Sequence, residues 1–215
     1  MKKKSILMML FTIFFLLISI RFTVAYLTDE EKALNVYTVG KVSISLNETD
    51  VDELGVPIEN AKRVYDNQYH LMPGYTYVKD PTVTVNAGSS DSYVRLLVTI
   101  NAIEELNEIF DGAFSPKTLV SGWDSVKWIY TDVYDNGDNS NTYEFRYYKV
   151  VNGLNGENKL EPLFNSFIVP GDLTKEELAM LKDLNITIIG QAIQKAGFEN
   201  SVDDAWKAFD VQFNR

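Results

Sequence analysis

The chain has 215 residues, 46% of them hydrophobic and 13% aromatic, too apolar for a disordered protein and enough to pack one domain. With 20 Lys+Arg against 30 Asp+Glu the net charge is −10, and because Lys2, Lys3, Lys4 and Arg21 sit at the extreme N-terminus the remainder is more acidic still; no basic stripe is left to draw a phosphate backbone, so nucleic acid is excluded as a partner. The lack of cysteine removes disulfides, thiolate zinc sites and cysteine nucleophiles, and the single histidine, His70, removes every mechanism that needs two imidazoles.

Residues 1–25 read as a secretory signal peptide. Lys2–Lys4 form a cationic start, and Ile6–Ile20 is an apolar run relieved only by Thr12 and Ser19. Fifteen residues span about 22 Å as a helix, short of the ~30 Å hydrocarbon core. Thr23-Val24-Ala25 places small residues at −3 and −1, which predicts cleavage between Ala25 and Tyr26. The alternative is an uncleaved anchor extended past Arg21, and in both cases the acidic body lies outside the cytoplasm.

Residues 26–36 follow as a separate N-terminal segment, with polar Asp29-Glu30-Glu31-Lys32 and then alternating Leu34 and Val36. Three readings fit it: an edge strand of its own chain, a short helix, or a donor strand that pairs with a neighbour's open sheet edge. Past residue 37 the dominant period is two. Val42, Ile44 and Leu46 alternate with polar residues and predict a half-buried strand over 37–46. Thr82–Val85 and Tyr93–Ile100, separated by Gly88-Ser89-Ser90-Asp91, predict a hairpin. Trp123–Thr131 and Thr142–Val151 predict a second hairpin around Asp135-Asn136-Gly137-Asp138. Lys159–Val169 and Asn185–Lys195 are later strands, for six to eight in all. Helices are expected at Ile103–Phe110, at Leu173–Leu184 behind the capping box Thr174-x-x-Glu177, and at Ser201–Phe209 behind Ser201. With no regular βα alternation and no linker, residues 37–215 are expected to form one mainly β domain, an antiparallel two-sheet sandwich with a few short peripheral helices.

Few residues offer chemistry. His70, before the Pro73-Gly74 turn, has no carboxylate at helical spacing and reads as a half-buried loop histidine. Asp132, Asp135 and Asp138 form the densest acidic loop, but setting Gly137 on a calcium loop's glycine puts Tyr134 and Tyr143 where oxygen ligands are required. A solvated hairpin tip is the simpler reading, with a looser oxygen site including Glu144 as the alternative. His70, Asp132, Asp135 and Asp138 are weak metal candidates; no catalytic residue and no cofactor is assigned. The aromatic runs Trp123/Trp128/Tyr130 and Tyr143/Phe145/Tyr147/Tyr148 are expected to be mostly core, leaving one or two rings for a subunit interface or a glycan platform.

Three blocks carry a family resemblance. Thr23–Asp29 with Asn35–Val42, Leu71–Gly74 with Lys79–Ser89, and Ile188–Phe198 with Asp204-Ala205-Trp206 resemble, in that order, the exported TasA/camelysin proteins of Gram-positive bacteria. The resemblance implies a jelly-roll-like fold, processing by a SipW-type signal peptidase, and a place at the cell surface or in the biofilm matrix. It also implies self-association or association with related matrix subunits, in fibres held by strand exchange. The camelysin branch implies a surface metallopeptidase as the alternative, but no catalytic residue of that activity carries over onto this chain. The expectation is therefore a secreted structural protein and not an enzyme, with a carbohydrate-binding surface module as a third class.

Overall fold

The computed structural model describes residues 28–32, 35–38 and 42–213, so the predicted signal peptide, Ala25, Tyr26 and Leu34 lie outside the described residues. What is described is mainly β. Three antiparallel sheets contain β1 (Thr28–Lys32), β2 (Asn35–Thr38), β3 (Ile44–Asn47), β4 (Thr76–Val78), β5 (Thr82–Val85), β6 (Ser92–Asn101), β7 (Val120–Ser121), β8 (Trp128–Asp135), β9 (Ser140–Tyr147), β10 (Asn158–Lys159), β11 (Ser166–Ile168) and β12 (Ile186–Gln194). Four short helices, α1 (Ile103–Ile109), α2 (Pro116–Leu119), α3 (Lys175–Met180) and α4 (Val202–Gln212), lie between or after them.

The largest sheet has the order β2-β1-β12-β6-β9-β8, and two three-stranded sheets run β10-β5-β3 and β4-β11-β7. β6 is its central ladder, paired along Ser92–Ile100 with β12 and along Arg95–Asn101 with β9. The period of two works here as predicted: Val94, Leu96, Val98 and Ile100 are buried on one face together with Tyr143, Phe145 and Tyr147 of β9. Val42, Ile44, Leu46, Val83 and Val85, from the sheet containing β3 and β5, belong to the same buried cluster. The sheets meet closely at Gly190, where an added Cβ would already lie 3.4 Å from Ile44 Cδ1. Each fully buried large apolar side chain in such a cluster contributes about 1.5–3 kcal/mol.

The opposite face of β6 and β12 is covered by α4. Ile193, Phe198, Ala205, Trp206 and Phe209 form a second buried cluster there. Ser201 caps α4 through Asp204 N–H, and the predicted Thr174–Glu177 capping box opens α3. α3 itself spans only Lys175–Met180, half the predicted length.

Several expectations are corrected. Thr82–Val85 and Tyr93–Ile100 are not a hairpin: β5 pairs with β3 and β10, β6 with β12 and β9, and the Gly88–Asp91 turn carries the chain from one sheet to the other. The expected strand over 37–46 divides between β2 and β3, in different sheets. Lys159–Val169 holds two short strands, β10 and β11, separated by a turn that buries Leu160, Leu163 and Phe164. The Asn-Gly hairpin is real but begins at Trp128, with Asn136–Asn139 as its tip. Trp123 precedes it, donating its indole N–H to Trp128 O at 2.9 Å. Trp128, Tyr143, Phe145 and Tyr147 are core, while Tyr130 and Tyr148 are 43% exposed.

Candidate functional site

The first half of β12 has a partner on one side only. β1 pairs with Gly190–Ile193, whereas among the described residues Ile186–Ile189 are paired with β6 alone. Among the described strands β3 stands at the end of its own sheet. A groove of about 520 Å³ opens there, walled by three extended stretches of chain, 46–48, 65–69 and 184–188. A strand with a described neighbour on one side only, beside a wall of mixed polar and apolar side chains, is a place where another strand can be added.

One side of the groove is held by a buried ion pair. Lys79 Nζ donates to Glu48 Oε2 at 2.8 Å, with both side chains under 10% exposed. Asn67 Nδ2 donates to the other Glu48 oxygen at 2.8 Å and to Thr49 O at 2.9 Å. Tyr69, under the Lys79 ammonium at 5.7 Å, donates its hydroxyl proton to Val78 O. Burial and the nearby Glu48 charge push that hydroxyl far above the ordinary tyrosine range, so it stays a neutral donor. The pair compensates its own charge and leaves the groove suited to a backbone rather than to an ion.

The irregular stretch between β3 and β4, which forms another wall, is tied down by Arg63. Its guanidinium donates to Asn47 Oδ1 and O, Thr49 Oγ1, Asp80 Oδ2 and O, and Thr82 Oγ1 at 2.6–3.1 Å. Burial pushes the Asp80 carboxyl up, but hydrogen bonds from Arg63 and Thr49 outweigh it and hold the group below its ordinary value. A carboxyl depressed in the folded state stabilises above its unfolded pKa of about 4 and loses that contribution as pH falls through the folded value. Urea midpoints should therefore fall below about pH 4 more steeply in the native protein than in Asp80→Asn. Parallel curves for the two would show that the Arg63–Asp80 contact carries no stability.

The other sequence candidates are dispersed. His70 is exposed rather than half-buried, and its backbone, not its ring, is engaged: its N–H donates to Glu53 O and its carbonyl accepts from Tyr77 Oη. Asp132, Asp135 and Asp138 are exposed and turned onto their own hairpin, accepting from Val133 N–H, Gly137 N–H and Ser140 Oγ. Glu144 is not with them. It is 1% exposed, with Arg95, Arg146, Thr131 and Tyr134 around it. Among the described residues no group of three or more His, Cys, Asp or Glu comes together for a metal.

The segment 26–36 is extended in its described part, not helical. β1 and β2 form a hairpin in which Val36 pairs with Glu31, and β1 lies on the edge of β12. At the far edge of the same sheet, β8 carries a bulge between Tyr130 and Asp132 and two acidic residues, devices that blunt an edge against pairing. The open part of β12 has neither.

Glu48, Arg63 and Asn67 escape sequence reasoning because 48–75 has no period to read, and Lys79 because its partner Glu48 is 31 residues away. Comparison with protein-family models, with characterised proteins and with solved structures finds no match.

Proposed function

We propose that the chain is a secreted structural protein of a cell surface or biofilm matrix that self-associates by strand exchange. The observation that carries this reading is the edge of β12, where β1 covers Gly190–Ile193 and leaves Ile186–Ile189 with β6 alone: the segment 26–36 of a second copy, exchanged for this chain's own, would lie along that edge. The donor is the segment 26–36 of the neighbour, freed as a terminus once a SipW-type peptidase has cut between Ala25 and Tyr26, with Leu34 and Val36 as its alternate apolar residues. The jelly-roll-like sandwich belongs to the same proposal, and the buried cluster shared by the sheets of β3–β5 and β6–β12 supports it.

A chain beginning at Tyr26 should form filaments visible by electron microscopy and elute early in size exclusion. One beginning at Tyr37 should elute as a monomer, and its thermal unfolding should remain cooperative. A synthetic peptide of residues 26–36 added to the longer chain should shorten the filaments by occupying the groove. Equal assembly of both chains, or absence of assembly in both, would overturn the proposal, as would unfolding of the shorter chain before it can associate.

A further inference from the structure

Three Asn-Gly dipeptides occur in the chain, at 136–137, 152–153 and 155–156, and the structure treats them differently. Asn-Gly is the pair in which a backbone nitrogen most easily reaches the preceding side-chain amide, because glycine has no Cβ to obstruct the approach. Asn136 is held on both sides of that reaction. Its Nδ2 donates to Ser140 Oγ at 2.8 Å and Thr142 Oγ1 at 3.1 Å, and Gly137 N–H donates to Asp135 Oδ1 at 2.8 Å. Asn152 is held as well: Nδ2 donates to Asp91 Oδ1 at 2.7 Å, Oδ1 accepts from Leu154 N–H, and the buried Gly153 donates its N–H to Ser89 O at 2.9 Å. Asn155 is exposed, and no hydrogen bond holds its side-chain amide. Gly156 N–H makes one long bond, 3.2 Å to Gly153 O, and the space beside its Cα is open.

We infer that Asn155-Gly156 is a site of spontaneous covalent modification, at which the folded protein converts asparagine to aspartate and isoaspartate. The Gly156 backbone nitrogen, on losing its proton to hydroxide, attacks Asn155 Cγ. The new C–N bond closes a succinimide, the Cγ–Nδ2 bond breaks, and ammonia leaves with a proton taken from water. Water then adds to either imide carbonyl and opens the ring, giving aspartate or an isoaspartate whose backbone is longer by one methylene. The net change is an amide and water to a carboxylic acid and ammonia. The new carboxylate lies two residues before Glu157, in the turn that leads into β10, an outer strand of its sheet. A long-lived copy of the chain therefore gains negative charge and an altered turn at that place.

The test is peptide mapping by mass spectrometry of the full chain aged in mildly alkaline buffer, folded in one arm and in denaturant in the other. In denaturant all three sites should react at similar rates. In the folded arm Asn155 should react about tenfold or more faster than Asn136 and Asn152, the factor expected when two or three retained hydrogen bonds must break first at those sites. Asn155→Gln should remove the dominant product and leave the other two sites unchanged. Reaction of Asn136 or Asn152 at a rate equal to that of Asn155 in the folded arm would overturn the inference, and so would an Asn155 that reacts only in denaturant.

Discussion

Replacing Arg95 by alanine should destabilise the protein by about 3–5 kcal/mol, the range for removing one partner of a buried ion pair. Arg95 is 2% exposed in the middle of β6, on the face that α4 covers. Its Nε donates to Gln191 Oε1 at 2.6 Å and its Nη1 to Glu144 Oε2 at 3.0 Å. Both terminal nitrogens reach Asp210 of α4, and the guanidinium lies 4.4 Å from the Trp206 ring centroid. One side chain thus ties three strands of the large sheet to the C-terminal helix. Without it Glu144 keeps Arg146, Thr131 and Tyr134, whose hydroxyl is pushed up to about 12 by burial and by Glu144 itself and so remains a donor. Those partners replace only part of what the guanidinium supplies, and Asp210 loses the contact that anchors α4. At about 2–4 °C per kcal/mol for a chain of this size, the fall in Tm should be on the order of 10 °C. Trp206 should report the loosened helix by a red-shifted fluorescence. Adding Glu144→Gln should recover part of the loss, because the stranded charge is then gone and the two changes couple. A loss below about 1 kcal/mol, with the two substitutions additive, would show that the clamp contributes little.

That centre was partly legible in the sequence. Arg95 is the single charge inside the apolar run Tyr93–Ile100, Glu144 shares the run Tyr143–Tyr148 with Arg146, and a charge inside such a strand must find a partner or face water. What the runs do not say is that the two strands are neighbours, with Arg95 on the same face as Leu97, two residues further on, which is paired with Glu144. The helix starts at Thr174 and Ser201 were readable because a cap acts within three residues. The mistaken 82–100 hairpin fails for the converse reason. Alternation on both sides of a Gly-Ser-Ser-Asp turn looks the same whether the strands pair with each other or pass into different sheets. The deciding contacts are remote in sequence, such as Ser89 Oγ donating to Ser43 O at 2.9 Å and accepting from Ser43 N–H at 3.1 Å. The groove beside β12 was illegible for the same reason, since its walls come from three distant stretches of chain.

That corner between the sheets is the second place where a small substitution should have a large effect. Val151 and Ser92 exchange backbone hydrogen bonds at 2.8 and 3.0 Å, Gly153 donates to Ser89 O at 2.9 Å, and Gly88 donates to Gly153 O at 2.8 Å. The stretch 151–153 therefore braces the turn through which the chain leaves β5 and enters β6. A Cβ on Gly153 would lie 2.0 Å from Asn86 O and 2.8 Å from Asn86 C, both backbone atoms with no rotamer to yield. Gly153→Ala must move one strand of the corner away from the other, so it should break at least one of these hydrogen bonds and cost about 3 kcal/mol or more, at or above the usual range for overpacking. Gly88→Ala makes the comparison, because it separates space from conformation. Gly88 has φ +87° with nothing within 4 Å of an added Cβ, so its cost is the left-handed backbone alone, about 1–2 kcal/mol. Urea unfolding of both variants should rank Gly153→Ala as clearly the worse, with slowed amide exchange at Ser89 and Gly153 lost in it alone. If the two variants unfold at the same urea concentration, close backbone contact is not what holds the corner, and the brace at 151–153 is weaker than its four hydrogen bonds imply.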